Sequence, residues 1–464
     1  MKIEKTLFRR YDIRGKYPTE LNEAAAYTIA LAFSNIFLDV KTVLIGGDIR
    51  ESTPTLKDAF IKGLIDGGKE VIDAGIVITP VVYFGVCHFG YDAGIVITGS
   101  HLEKSYNGIK IVFQNAEPST PKDYDTILEH ILSDKLQKAK GGGSVHTIDI
   151  EKEYFNYIKD KISLKKPLKI IIDTGNGTAR LLPEKIFKAF HCDVETIFAD
   201  PDDSAPNHIP DPYKHEYMQD LKKKVIESDA DLGIGFDGDG DRAGFVDKSG
   251  YILTGDDLLM IFSRDALQKK KGPIVVDSRA SMSLIEEVKK QEQDIILTVG
   301  YHAAVLSEVI KKNAVFGGET TSHFYFPLDF YLTDDAIFAA LKLSEIVSEQ
   351  SDFVTFVKEL PRHVTSEEIF IEFLDTEKYN AVDTFTQMVK AEGFDVNDVD
   401  GARVNFEKGW GIVRPSNTSP FIKVKFEGVT KKDLSDVSRT MISLMERVGI
   451  EMSMQDKKKL EMLV

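Results

Sequence analysis

The chain has 464 residues, 42% of them hydrophobic and 28% charged. This is the composition of a soluble globular protein, and the length suffices for three or four domains. A formal net charge of −16 argues against non-specific binding to nucleic acid and requires any phosphate site to be built from a local cluster of Arg, Lys and His.

The first residues, Met1-Lys2-Ile3-Glu4-Lys5, have no apolar signal core, and no apolar run is long enough to span a bilayer. The two cysteines, Cys87 and Cys192, fall in different expected domains with no pairing or metal-ligand spacing. A cytoplasmic protein without membrane or nucleic-acid partners is expected. The Lys runs at 222–224, 269–271 and 457–459 fall on polar helical faces and read as solvated.

From residue 42 a pattern starts that repeats three times. Apolar runs at 42–48, 168–175 and 273–278 end in small or polar residues. Helical stretches follow at 55–66, 182–190 and 281–290, and second apolar runs at 70–72, 193–197 and 294–298. A third run in each copy carries a distinctive loop: Thr98-Gly99-Ser100-His101, then Asp237-Gly238-Asp239-Gly240-Asp241-Arg242, then Gly318-Glu319-Thr320-Thr321-Ser322-His323. Apolar runs alternating with amphipathic helices indicate β-α-β units and mainly parallel sheets. The fold class is therefore α/β, with three related mixed α/β domains at 1–149, 150–250 and 251–363. The tail, 364–464, differs. A strand at 366–373, a helix, a hairpin region around Gly409-Trp410-Gly411, an alternating strand at 421–426 and a helix at 432–448 make a smaller α+β domain whose sheet has one wet face.

The aspartate loop carries the strongest chemical signal. In extended backbone, side chains at every second position point the same way, so Asp237, Asp239 and Asp241 converge. Three converging carboxylates repel unless a cation sits among them, and oxygen-only ligation favours Mg²⁺, Mn²⁺ or Ca²⁺. A polar turn is the plain alternative. A calcium loop is excluded by Arg242, where a turn glycine is needed, and by Lys248, where the bidentate Glu belongs.

Ser100, in a Gly-containing loop at a strand end, is placed to act as a nucleophile, although no G-x-S-x-G elbow is present. Glu319, Thr321 and His323 supply the donors and acceptors that a polyol needs. Arg414, Ser416, Asn417 and Thr418 suit a phosphate dianion. Each of these loops also reads as an ordinary turn or helix cap when taken alone.

A serine loop, an aspartate loop, a Glu/His loop and an Arg/Ser/Asn/Thr loop, one per domain and in this order, resemble the α-D-phosphohexomutase superfamily. The likeness is closest to its bacterial phosphomannomutase/phosphoglucomutase branch. It runs from Phe8-Arg9-Arg10-Tyr11-Asp12-Ile13-Arg14-Gly15 to residues 414–420. The resemblance implies four domains around a central cleft and interconversion of hexose 6-phosphate and 1-phosphate, with mannose as the sugar and glucose as a second. Ser100 would carry a phosphoryl group, with a hexose 1,6-bisphosphate as intermediate and activator. One Mg²⁺ would be held by Asp237, Asp239, Asp241 and the phosphate on Ser100. Lys110 matches the general acid/base of the family, with its pKa lowered by Arg14, and His101 matches a further catalytic position. Tyr11, Arg242, Arg279 and His302 match substrate-binding positions. Glu319, Thr321 and His323 would hold the sugar, and Arg414, Ser416, Asn417 and Thr418 the non-reacting phosphate, with Arg242 also facing the sugar phosphate. A monomer is expected, a dimer being the alternative.

The chain departs from the family in places. Ser100-His101-Leu102-Glu103 replaces Ser-His-Asn-Pro, Arg279 stands where a lysine is usual, and the sugar loop reads Gly-Glu-Thr-Thr-Ser-His. A phosphoglucosamine mutase is the first alternative; a Mg²⁺-dependent sugar phosphatase and a non-catalytic sugar-phosphate binder are more distant ones.

Overall fold

The computed structural model describes residues 3–180, 182–416 and 420–463. The chain forms two compact units, Met1–Leu258 with Thr321–Lys358, and Leu259–Thr320 with Glu359–Val464.

The first unit begins with a six-stranded sheet of β1 (Ile13–Lys16), β2 (Thr42–Gly47), β3 (Glu70–Ile76), β4 (Ala93–Ile97), β5 (Tyr106–Phe113) and β6 (Ser144–Thr147), in the order β1-β5-β4-β2-β3-β6. The β4/β2, β2/β3 and β3/β6 pairs are parallel, and β5 runs antiparallel to both β4 and β1. Alternation along β4 and β5 sends Ile95, Ile97, Ile109 and Ile111 to one face. There they join Ile29, Phe33, Phe60 and Ile127 from helices Glu23–Ile36, Thr53–Asp66 and Pro121–Leu132 in one buried cluster. Burying each such side chain contributes about 1.5–3 kcal/mol. The same alternation puts Lys110, between Ile109 and Ile111, on the opposite face. Helix Pro121–Leu132 starts with a capping box between Thr120 and Asp123.

The second sheet has β7 (Lys169–Asp173), β8 (Asp193–Ile197), β9 (Leu232–Phe236) and β10 (Ala243–Asp247) in the order β10-β9-β7-β8, parallel except for the β9/β10 hairpin. In the second unit, β11 (Ile274–Asp277) lies between β12 (Ile295–Thr298) and β13 (Phe316–Gly318), all parallel. The segment Thr321–Lys358 belongs to the first unit. It holds β14 (Phe324–Tyr325) and helix Ala336–Glu349, most of whose residues are buried. This helix touches β9 and β10. Its apolar residues run around the whole circumference, so it needs cover on every side. The third repeat therefore supplies both units.

The tail forms a mainly antiparallel sheet of β15 (Val364–Thr365), β16 (Ile369–Glu372), β17 (Asp395–Asn397), β18 (Ala402–Phe406), β19 (Gly409–Pro415) and β20 (Phe421–Gly428). Ile422, Val424 and Phe426 are buried while Phe421, Lys423 and Lys425 are half-buried, the alternation that the sequence shows. The apolar face packs on helices Lys378–Ala391 and Lys431–Glu446 through Phe385, Val389, Val437 and Met441. Arg414, next to buried Val413, points to the other face.

Candidate active site

The serine loop leaves β4 and turns back into β5. Ser100 has φ +50°, a left-handed conformation costing a non-glycine residue about 1–2 kcal/mol. Several contacts hold it there. Ser100 N donates to Thr98 Oγ1 at 2.8 Å and Gly99 N to Asp48 Oδ2 at 2.9 Å. Arg50 donates to the carbonyls of Glu103 (2.8 Å), Tyr106 (3.0 Å), Ser100 (3.1 Å) and Leu102. Its Nε lies 3.3 Å from Asp48 Oδ2. One buried guanidinium thus gathers the whole loop, and the exposed Glu103 is held through its backbone. Ser100 Oγ donates to Asp237 Oδ2 at 3.1 Å and lies 3.1 Å from His101 Nδ1. Burial, helped by Arg242 and Arg14, pushes His101 well below the usual imidazole range, so the ring is neutral.

The aspartates converge, but through a turn and not through extended backbone. Asp237 N donates to Arg242 O at 3.1 Å, Gly240 N to Asp237 O at 3.3 Å, and Asp237 Oδ1 accepts from Asp241 N (3.1 Å) and Arg242 N (3.2 Å). Glycine at 238 is needed for close approach, since a Cβ there would sit 2.3 Å from Ser100 O. Asp237, Asp239 and Asp241 are buried and each offers an oxygen within 4.8 Å of the others. Asp239 Oδ1 and Asp241 Oδ1 have no hydrogen-bond partner among the described residues. Burial and the two neighbouring carboxylates push Asp237 well above the usual range. An all-oxygen donor set with strained charge and open buried lone pairs fits a hard divalent cation.

Two expectations change here. Lys110 Nζ donates to Asp239 Oδ2 (2.8 Å) and Asp241 Oδ2 (2.5 Å). Burial pulls its pKa down, but Asp239 and Asp241 outweigh that and hold it well above the usual lysine range. Arg14 Nε instead donates to Asp12 Oδ2 at 2.6 Å. Arg242, expected to face the sugar phosphate, is buried and braces the turn: its Nε donates to Asp237 Oδ2 (3.2 Å) and its Nη1 to Asp211 Oδ1 (3.2 Å). Asp239 Oδ2 also accepts from Thr79 Oγ1 (2.6 Å) and Thr98 Oγ1 (3.2 Å).

His323 comes to the same turn. Its Nδ1 lies 3.0 Å from Asp334 Oδ2, and Asp241, His323 and Asp334 offer ligand atoms within 4.8 Å of one another. Thr321 is half-buried in the segment before it. Tyr11 is half-buried too, with the Arg10 guanidinium carbon 5.4 Å from its ring centroid.

The second unit gathers cations. Asp277, ending β11, accepts from Arg279 N and Nε (both 2.8 Å) through Oδ1, and from Thr320 N (2.6 Å) and Oγ1 (2.9 Å) through Oδ2. It thereby positions Arg279 and the loop holding buried Glu319. Arg414 Nη1 donates to Asp400 Oδ2 at 2.9 Å, an oxygen that also accepts from Ser278 Oγ (3.1 Å) and Gly300 N (3.0 Å). Arg279 Nη2 and Arg414 Nε are buried without a hydrogen-bond partner among the described residues. His302 opens helix His302–Lys312, its ring 4.4 Å from that of Tyr301. Ser416 N donates to Phe421 O at 2.9 Å, while Asn417 and Thr418 lie outside the described residues.

Sequence reasoning missed Arg50, Asp334, Asp400, Glu368 and Lys423. Arg50 had one available signal, its place two residues after the Gly46-Gly47-Asp48 strand end.

The chain matches four family profiles in order. They are phosphoglucomutase/phosphomannomutase alpha/beta/alpha domain I over residues 5–138, domain II over 152–250, domain III over 254–364, and the C-terminal domain over 370–443. It is 33% identical to a phosphomannomutase/phosphoglucomutase of Pseudomonas syringae pv. tomato over 97% of both chains. It is 32% identical to a phosphomannomutase of Escherichia coli, over 95% of this chain and 99% of that one. The crystal structure of a phosphoglucomutase/phosphomannomutase family protein from Burkholderia thailandensis superposes with a TM-score of 0.89 at 30% identity, covering 96% of this chain and 98% of the other. Among the described residues no helix is long and apolar enough to cross a membrane. The chain belongs to the phosphoglucomutase/phosphomannomutase family.

Proposed function

We propose that the protein is a phosphohexomutase that interconverts the 6- and 1-phosphates of mannose, and of glucose as a second sugar. The observation that carries this reading is Ser100 Oγ at 3.1 Å from a carboxylate of the three-aspartate turn, beside a buried lysine. Phosphoryl transfer depends mainly on positioning and charge neutralisation. Asp237, Asp239 and Asp241 would hold Mg²⁺, which when bound neutralises charge on the transferring phosphoryl group.

The chain's own residues do the rest. Arg50 and Asp48 fix the serine loop so that Oγ is presented to substrate. Ser100 gives its phosphoryl group to a sugar hydroxyl, whose proton goes to a base, the role assigned to Lys110. The hydroxyl oxygen gains the P–O bond as the serine P–O bond breaks, and Ser100 Oγ, left with the electron pair, takes up a proton to become the free hydroxyl. The bound 1,6-bisphosphate then turns, and its other phosphoryl group returns to Ser100. Lys110 needs a free amine to accept a proton, so its ion pair with Asp239 and Asp241 must loosen in the working complex. Glu319 and His323 would bind sugar hydroxyls, with Asp334 orienting the imidazole, and Arg414 and Ser416 would hold the non-reacting phosphate. Both cysteines are free, in keeping with a reducing cytoplasm.

The test is a coupled assay with Mg²⁺ and bisphosphate activator on mannose, glucose and glucosamine 1-phosphates side by side. Turnover of the mannose compound, lost in Ser100→Ala, is expected. Preference for the glucosamine compound would move the assignment to that sugar, and no turnover on any of the three would overturn it.

A further inference from the structure

The cation cluster of the second unit contains an anion that the reaction does not call for. Arg414 on β19 and Lys423 on β20 are cross-strand partners, and Lys423 is in turn opposite Phe370 on β16. Directly opposed residues share a face and touch; Lys423 Nζ lies 5.0 Å from the Phe370 ring centroid. Glu368, just before β16, reaches into this row. Its Oε1 is 3.4 Å from Arg414 Nη2 and its Oε2 is 3.5 Å from Lys423 Nζ. Arg279 arrives from the loop after β11. A Cβ on Gly300 would lie 3.0 Å from Arg414 Nη1 and 3.2 Å from Arg279 Nη2, so glycine leaves open a small space flanked by both guanidinium groups. Arg279 Nη2 and Arg414 Nε, without a hydrogen-bond partner among the described residues, mark this cluster as one suited to an anion. Burial pushes Glu368 up, yet Arg414, Lys423, Arg279 and Lys425 outweigh it and pull its pKa to about 2. Glu368 is thus a fixed negative charge throughout the neutral range.

A like charge a few ångströms from a phosphate dianion weakens its binding. That serves an enzyme whose intermediate must leave the subsite and turn around, because binding a ground state too tightly slows turnover. We propose that Glu368 is a built-in competitor for Arg414 and Lys423 that sets how tightly the second unit grips substrate phosphate and keeps the bisphosphate exchangeable. Phosphate oxygens replace the carboxylate on Arg414 Nη2 and Lys423 Nζ when substrate binds, and the carboxylate returns when it leaves. This inference rests on the phosphohexomutase reading.

Glu368→Gln in the full chain keeps the size of the side chain and removes its charge. Steady-state kinetics with mannose 1-phosphate and calorimetric titration with inorganic phosphate give the readout. KM and the phosphate Kd are expected to fall about tenfold, with kcat falling as release slows. Lys423→Met, which leaves Glu368 in place, is expected to move KM upward and keeps the test open should the glutamine variant fold poorly. An unchanged or raised KM in Glu368→Gln, or an unchanged KM in Lys423→Met, would overturn the proposal. Arg414→Ala separates the two levels. If it raises KM while Glu368→Gln fails to lower it, the phosphate subsite stands and the role of Glu368 falls. If Arg414→Ala leaves KM unchanged, the subsite itself is wrong.

Discussion

The two units solve opposite electrostatic problems with one device. In the first, buried carboxylates are packed together and two of their oxygens, Asp239 Oδ1 and Asp241 Oδ1, are left without hydrogen bonds among the described residues. In the second, buried guanidinium groups are packed together and two of their nitrogens, Arg279 Nη2 and Arg414 Nε, are left likewise among the described residues. An unsatisfied buried polar atom costs about 1–3 kcal/mol, a cost that a bound ligand of opposite charge offsets. The open carboxylate oxygens of the first unit suit a cation, and the open guanidinium nitrogens of the second suit an anion. Each unit also carries an internal stand-in of the ligand's charge, Lys110 among the carboxylates and Glu368 among the guanidinium groups.

The largest effect should follow from breaking the carboxylate side. Asp239→Asn removes a charge from the turn while keeping acceptors for Thr79 and Thr98. Divalent-ion binding, followed by calorimetry with Mn²⁺, should weaken by at least an order of magnitude, about 1.4 kcal/mol or more, and kcat should fall further. Unchanged ion binding would remove the turn from the metal site.

Arg50→Met probes the scaffold that the nucleophile leans on. It deletes the donors to the carbonyls of Ser100, Leu102, Glu103 and Tyr106. A roughly tenfold drop in kcat with little change in KM is expected, because a misplaced nucleophile costs rate and not ground-state binding. Faster amide exchange at residues 99–106 should accompany it. Normal exchange with normal kcat would show that the loop holds itself.

The smallest effect concerns a buried carboxylate that is not reserved for a ligand. Asp335 accepts from Tyr154 Oη with both oxygens (3.0 and 2.9 Å) and caps helix Ala336–Glu349 through Phe338 N at 2.8 Å. Burial raises its pKa to about 7. A carboxyl whose pKa is higher in the folded state contributes stability at low pH that is lost as pH rises from the ordinary carboxylate value through about 7. Asn caps as well as Asp, so Asp335→Asn should raise Tm at pH 8 relative to the parent and hardly change it at pH 5. The reverse pattern would show that the ionised carboxylate is the stabilising form.

Much of this was legible in the chain because each functional loop is a local anomaly beside an apolar run. Asp237-Gly238-Asp239-Gly240-Asp241 stands out in any reading, as does Arg414 near the start of its polar loop. The alternating strand at 421–426 likewise announced a sheet with one wet face. What stayed hidden acts over distance. Arg50 is one charged residue in an ordinary turn, and its carbonyl partners lie about fifty positions on. Glu368 meets Arg414 only because β16, β20 and β19 pair side by side. The every-second-residue spacing of the aspartates suits a strand and a Gly-rich turn equally, and the hydrogen bonds of Asp237 decide for the turn. Lys110 looked like a base with a lowered pKa until its partners were seen to be carboxylates. Likewise, nothing in the third repeat marks where its later residues pack; the all-round apolar surface of helix Ala336–Glu349 is the physical reason they join the first unit.

In the proposed cycle, Ser100 carries the transferred phosphoryl group. Its most direct test is the intact mass, with peptide mapping, of dephosphorylated protein incubated with Mg²⁺ and a hexose 1,6-bisphosphate. One added phosphoryl group is expected on the peptide containing Ser100, removed by mannose 6-phosphate and absent in Ser100→Ala. Mutase turnover with phosphate on another residue, or on none, would contradict it.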